Sequence, residues 1–195
     1  MMKRIICFGD SNTFGYNPQD LYGEPYKNPW PSVLGGIIDA EVLNWGVNGA
    51  ETPDSDFRRK LKLDRLAKNS PFDLVIVMYS TNDILNAVYP DVRKIEENLE
   101  MLVLDIKEAF QGVVIVLVVP PVLRVSEDNQ VIASKKMRKI IRGIAEKDCV
   151  IFADVNACEL EMTYDGIHFS ERDHQKIAVY LADVLKTNAP GNEEV

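Results

Sequence analysis

Ser11 stands in Gly9-Asp10-Ser11-Asn12-Thr13-Phe14-Gly15, directly after a short apolar run. A hydroxyl at a strand-to-helix turn is exposed and lies near the backbone N–H groups of the helix that follows. That suits a nucleophile, although Asp and Ser at such a place also serve as N-caps. Serine needs a base to take its proton, and the base needs an acid to fix its tautomer and stabilise the imidazolium. The chain has two histidines, His168 and His174. His168 closes Asp165-Gly166-Ile167-His168, where an Asp and a His three apart at a turn can face the same way. His174 sits inside the last amphipathic stretch and reads as a solvated helix residue. Ser11, His168 and Asp165 are therefore the candidate nucleophile, base and orienting acid.

Two further segments place small or amide residues after apolar runs. One is Asn44-Trp45-Gly46-Val47-Asn48-Gly49-Ala50-Glu51-Thr52 and the other Ser80-Thr81-Asn82-Asp83. Singly, Gly49 is a turn glycine and Asn82 a cap or Asx-turn residue. Together with Ser11 they offer two backbone N–H groups and one side-chain N–H to a single oxygen, the composition of an oxyanion hole. Neither G-x-G-x-x-G nor G-x-x-x-x-G-K-[ST] occurs, so a phosphate-binding loop finds no support.

Elements must bring these residues together. Short runs rich in Val and Ile recur at Arg4–Phe8, Glu41–Trp45, Asp73–Tyr79, Val113–Val119 and Val150–Asp154, as expected of strands buried on both faces. Helical spacing fills the intervals: Pro31–Asp39, Asp54–Lys68 (Phe57, Leu61, Leu63, Leu66), Asp91–Phe110 (Ile95, Leu99, Leu102, Val103, Ile106), Asn129–Lys147 (Ile132, Met137, Ile140, Ile141, Ile144) and Ser170–Leu185 (Ile177, Ala178, Leu181, Leu185). The alternation implies right-handed crossovers and an α/β fold: a three-layer α/β/α sandwich of flavodoxin-like kind around a five-stranded parallel sheet, binding ligands at the strands' carboxyl ends. One domain is expected over 1–186, with a frayed tail over 187–195.

Composition excludes other classes. With 195 residues and a formal charge of −8, the chain lacks the basic face that nucleic acid or an anionic membrane needs. Its longest apolar run, Val113–Val119, falls short of the ~18 residues of a spanning helix. Ile5–Phe8 is too short for the h-region of a signal peptide, so a cytoplasmic location is expected. Cys7, Cys149 and Cys158 form no C-x-x-C pair, and neither a disulfide framework nor a zinc site fits. Cys7, in an apolar run, reads as a small buried hydrophobe.

In order, spacing and placement, the four polar segments resemble the SGNH hydrolase superfamily, also called GDSL esterases and lipases, in its arylesterase-like members. The resemblance runs from Gly9 to His168. It implies Ser11 as nucleophile and first oxyanion donor, Gly49 and Asn82 as the other donors, and Asp165 and His168 as the D-x-x-H pair. Asn12 stands where the family's name has leucine, a variation that leaves the nucleophile untouched. Ser80 stands where the family has glycine, and its side chain could narrow the pocket or re-aim the loop. The implied reaction is acyl transfer from a small carboxylic ester to water through an acyl-Ser11 intermediate, with no cofactor and no metal. Thioesters and O-acetyl sugars are in range, and short acyl chains are expected because little sequence is left for a lid. Tyr16, Tyr22, Tyr26 and Trp30 could wall the site for an aryl or sugar group, or meet a neighbouring subunit of a homo-oligomer. Arg124 is a candidate anchor for an anionic group. Two alternatives stay open: acyl transfer to an alcohol or sugar, and a non-catalytic flavodoxin-like binding module.

Overall fold

A computed structural model describes residues 3–53, 56–68 and 71–188, the side chains of 56–61 excepted. Five parallel strands form one sheet: β1 (Lys3–Gly9), β2 (Ala40–Gly46), β3 (Leu74–Met78), β4 (Val114–Val119) and β5 (Ile151–Asp154), in the order β2-β1-β3-β4-β5. The chain starts at β1, lays β2 to one side, then crosses back to add β3, β4 and β5 on the other. The reversal puts the end of β1 at the switch point of the sheet, where such folds bind ligands.

Helices cover both faces. α2 (Trp30–Ile38) and α7 (Glu171–Thr187) pack on one face, and α3 (Asp56–Ala67), α5 (Val92–Ala109) and α6 (Asp128–Asp148) on the other. Each strand divides its side chains by strict alternation. Ile6 and Phe8 of β1, with Val75 and Val77 of β3, face α5 and α6. Ile5 and Cys7, with Ile76 and Met78, face α2 and α7. Burial pushes the Cys7 thiol well above its ordinary range, as an inert core residue requires.

The three-layer α/β/α architecture is as the periodicity predicts, with informative differences. β2 is an edge strand whose residues are all exposed or half-buried, not a strand buried on both faces. Ile132 is half-exposed, and Ala133 takes the buried place on α6. Two short helices, α1 (Ser11–Phe14) and α4 (Thr81–Leu85), were too brief to leave a periodic signature. Phe57 and Leu61 lie outside the described side chains. α7 runs on to Thr187, and the rest of the expected tail lies outside the described residues from 189 onward. Among the described residues no helix is long and apolar enough to cross a membrane.

Candidate active site

Ser11 is the first residue of α1, and four contacts fix that turn. The Asp10 carboxylate accepts from the Asn12 amide at 2.9 Å and caps the helix. On β2, the Asn44 side-chain amide donates to the carbonyls of Thr13 (2.9 Å) and Phe14 (3.3 Å), which a four-residue helix cannot satisfy itself. Val47 N–H donates to Gly9 O at 3.0 Å. Gly46, at the end of β2, lets the backbones touch: a Cβ there would stand 2.1 Å from the Phe14 nitrogen.

His168 reaches Ser11 from the loop between β5 and α7. Its Nε2 lies 3.0 Å from Ser11 Oγ, and its Nδ1 lies 2.6 Å from Asp165 Oδ2. The other carboxylate oxygen is saturated: Asp165 Oδ1 accepts from Thr163 Oγ1 (2.8 Å), Ile167 N–H (2.9 Å) and His168 N–H (3.0 Å). Burial pushes this carboxyl up, but the bonds from the imidazole, the two amides and Thr163 outweigh it and hold Asp165 down to about 2. An ionised carboxylate only accepts, so the imidazole proton sits on Nδ1. The Nε2 lone pair then faces Ser11, whose hydroxyl donates to it.

The loop is itself anchored. Thr163 N–H donates to His168 O at 2.9 Å, closing the turn. The Asp173 carboxylate accepts from the amides of Glu161, Met162 and Ser170, and Ser170 and Asp173 complete a capping box that starts α7. Gly166 holds φ +67° with Arg124 O only 2.2 Å from where a Cβ would be, a place open to glycine alone.

The third segment is tied to the second. Asn82 Nδ2 donates to Ala50 O at 2.9 Å, and Asp83 Oδ2 accepts from the amide and hydroxyl of Thr52 (2.9 and 3.0 Å). Gly49, exposed at φ +73°, belongs to the same Val47–Ala50 turn. One amide hydrogen of Asn82 is committed to that turn, leaving the other for a ligand. Ser80 keeps glycine's backbone conformation, φ +99°, but its side chain is 0% exposed. It therefore points inward, where its hydroxyl has no partner among the described residues, and does not narrow an open site.

The proposed walls separate. The Tyr16 ring lies 4.8 Å from the His168 ring, at the site. Tyr22 is 91% exposed and contributes no wall. Trp30 is 0% exposed, a core residue beneath the site whose indole N–H donates to Asn12 O at 3.2 Å. Arg124 is no free anion anchor: its guanidinium donates to the carbonyls of Leu160 and Glu161, clasping the loop that carries Asp165. His174 corrects the expectation of a solvated residue. It is 1% exposed, its Nδ1 accepts from Trp30 N–H at 3.2 Å, and the rings of Tyr26 and Phe169 meet it edge-on. Burial depresses its pKa to about 4. Sequence reasoning also passed over Thr163 and the side chain of Asn12. An asparagine in the leucine position of the first motif was the available signal for the latter. No group of three or more His, Cys, Asp or Glu suited to a metal ion occurs among the described residues.

The family model for GDSL-like Lipase/Acylhydrolase matches residues 7–176. The aryl esterase of M. smegmatis is a structural neighbour at 24% identity and TM-score 0.79, covering 95% of this chain and 99% of that one. A carbohydrate acetylesterase family member from Sinorhizobium meliloti matches at 22% identity and TM-score 0.80, covering 95% and 98%. A member of the lipolytic protein G-D-S-L family from Veillonella parvula matches at 18% identity and TM-score 0.76, covering 94% and 98%. No curated protein matches in sequence.

Proposed function

We propose, for a chain that belongs to the GDSL-like lipase/acylhydrolase family and so is an ester-hydrolysing enzyme, that it cleaves small carboxylic esters through an acyl-Ser11 intermediate. The observation that carries this reading is the continuous relay from Ser11 Oγ to His168 Nε2 at 3.0 Å and from His168 Nδ1 to Asp165 Oδ2 at 2.6 Å.

Attack begins as Ser11 Oγ bonds to the ester carbonyl carbon while its proton passes to His168 Nε2. Asp165, held ionised, stabilises the imidazolium and keeps the ring in place. The negative charge that develops on the carbonyl oxygen is met by the Ser11 and Gly49 N–H groups and the remaining Asn82 amide hydrogen. The Ser11 N–H is available because the first turn of a helix leaves its amides without carbonyl partners. His168 then gives its proton to the departing alkoxide. Water attacks the acyl-serine by the same route, with His168 as base, and releases the acid. Tyr16 borders the reacting atoms and meets the acyl or alcohol group. Short acyl esters, aryl esters and O-acetylated sugars are the substrates we favour.

A fluorophosphonate probe tests the centre of this reading. It should label Ser11 in the wild type and leave Ser11→Ala unlabelled, and hydrolysis of acetyl and butyryl esters should vanish in both Ser11→Ala and His168→Ala. Retention of hydrolysis in Ser11→Ala would place the nucleophile elsewhere.

A further inference from the structure

We propose that Asn12 is a positioning residue that locks the catalytic histidine to the nucleophile, an inference that rests on the acyl-Ser11 reading above. Ser11 and His168 are 157 residues apart in sequence, and nothing covalent near either sets the 3.0 Å between them. The side chain of Asn12 bridges that gap. Its Nδ2 donates to Ile167 O and its Oδ1 accepts from Phe169 N–H, each at 3.0 Å. The two bonds grip the backbone immediately before and after His168, as a strand would grip its neighbour.

Asn12 is itself held rigidly. Its amide is capped by Asp10 at 2.9 Å, its carbonyl accepts from the Trp30 indole at 3.2 Å, and it is 1% exposed. The clasp thus runs from the core through Trp30 and α1 to the loop of the base. A carboxamide is the side chain of this size that both donates and accepts. Leucine, which the family's motif has here, could fill the space but make neither bond. In this chain the register between nucleophile and base is carried by hydrogen bonds.

A displacement of reacting groups by about 1 Å can cost as much as 10²-fold in rate. Asn12→Leu should therefore lower kcat roughly 10- to 100-fold with KM changed less than about twofold, measured well below the melting temperature of both proteins. Asn12→Asp keeps the shape and the bond from Phe169 but sets a carboxylate oxygen against Ile167 O, so its kcat should fall between the two. It also serves if the leucine variant folds poorly. A second readout does not depend on turnover: the far-downfield proton resonance of His168 Nδ1–H, held against Asp165. It should weaken or move upfield in Asn12→Leu as the ring loses its seat. A kcat within about threefold of wild type overturns the proposal, and so does a lost kcat with that resonance unchanged. If Ser11→Ala still hydrolyses esters, the acyl-serine reading fails on its own. The resonance then still decides the clasp: its loss in Asn12→Leu supports the hold on His168 and its persistence refutes it.

Discussion

At the scale of single residues, the proposed chemistry depends on which imidazole nitrogen carries the proton, and Asp165 decides that. With one oxygen taken up by three N–H and O–H donors, the carboxylate presents only Oδ2 to His168. Asp165→Asn would keep the shape but could offer its amide N–H to Nδ1, turning the ring to the wrong tautomer. Steady-state kinetics should show kcat lower by ~10⁴, the size of effect such a change produces in serine proteases, with KM little altered. Asn82→Ala removes one of three proposed oxyanion donors and should lower kcat by ~10²–10³ with KM unchanged, because the donor serves a charge absent from the ground state. A rise in KM at constant kcat would instead make Asn82 a substrate ligand. The polar residues at the strand ends were legible in the sequence because the chain has only two histidines, and one of them, His168, falls in a D-x-x-H turn beyond the last apolar run. Asn12, Trp30 and His174 were not, since residue type alone does not reveal burial. Each makes a hydrogen bond inside the protein to a partner 18 to 157 positions away, although His174 Nε2 has none among the described residues.

Among elements, the smallest helices do most of the positioning. α1 is four residues long, far too short to be stable alone, and is held in place by the Asp10 cap, the Trp30 indole, and the Asn44 donor and bare Gly46 Cα of β2. Gly46→Ala would drive a methyl into the Phe14 nitrogen and push α1, with Ser11, out of line. Fluorophosphonate labelling of Ser11 should slow at least tenfold, while far-UV circular dichroism keeps its shape. Ser80 makes the opposite prediction. A side chain at φ +99° is strained by roughly 1–2 kcal/mol, and its buried hydroxyl goes unpartnered among the described residues. Glycine would lose ~0.5–1 kcal/mol to unfolded-state entropy. Ser80→Gly should thus stabilise the protein by ~1 kcal/mol, a rise in Tm of about 2–4 °C for a chain of this size. Lengths and periods made the five strands and long helices readable beforehand. α1 and α4, at four and five residues, span barely one turn and leave no period to read. The edge position of β2 depends on the crossover order, which a run of Val and Leu does not encode.

For the whole molecule, two buried groups near the site, His174 and Asp10, respond in opposite directions to pH between about 4 and 6. His174 joins α7 to α2 through Trp30 and stays neutral in the interior, its pKa lowered by burial from 6.5 to about 4. Between those values the unfolded chain binds a proton that the folded one refuses, so stability falls as the pH drops from 6.5 toward 4. Asp10, 0% exposed at the base of α1, is raised by burial from 3.8 to about 6. In that window the folded chain holds a proton that the unfolded one releases, so stability falls as the pH rises. Each term amounts to ~3 kcal/mol at full extent, and across pH 4–6 they nearly cancel. His174→Gln keeps an acceptor for Trp30 N–H but removes the titration. Its unfolding free energy, measured by denaturant at a series of pH values, should lose the His174 term and fall as the pH rises from 4 to 6. Relative to wild type, the variant should gain ~3 kcal/mol at the acid end. Parallel curves for the two proteins would mean that His174 is protonated in the folded state or solvated, against its 1% exposure.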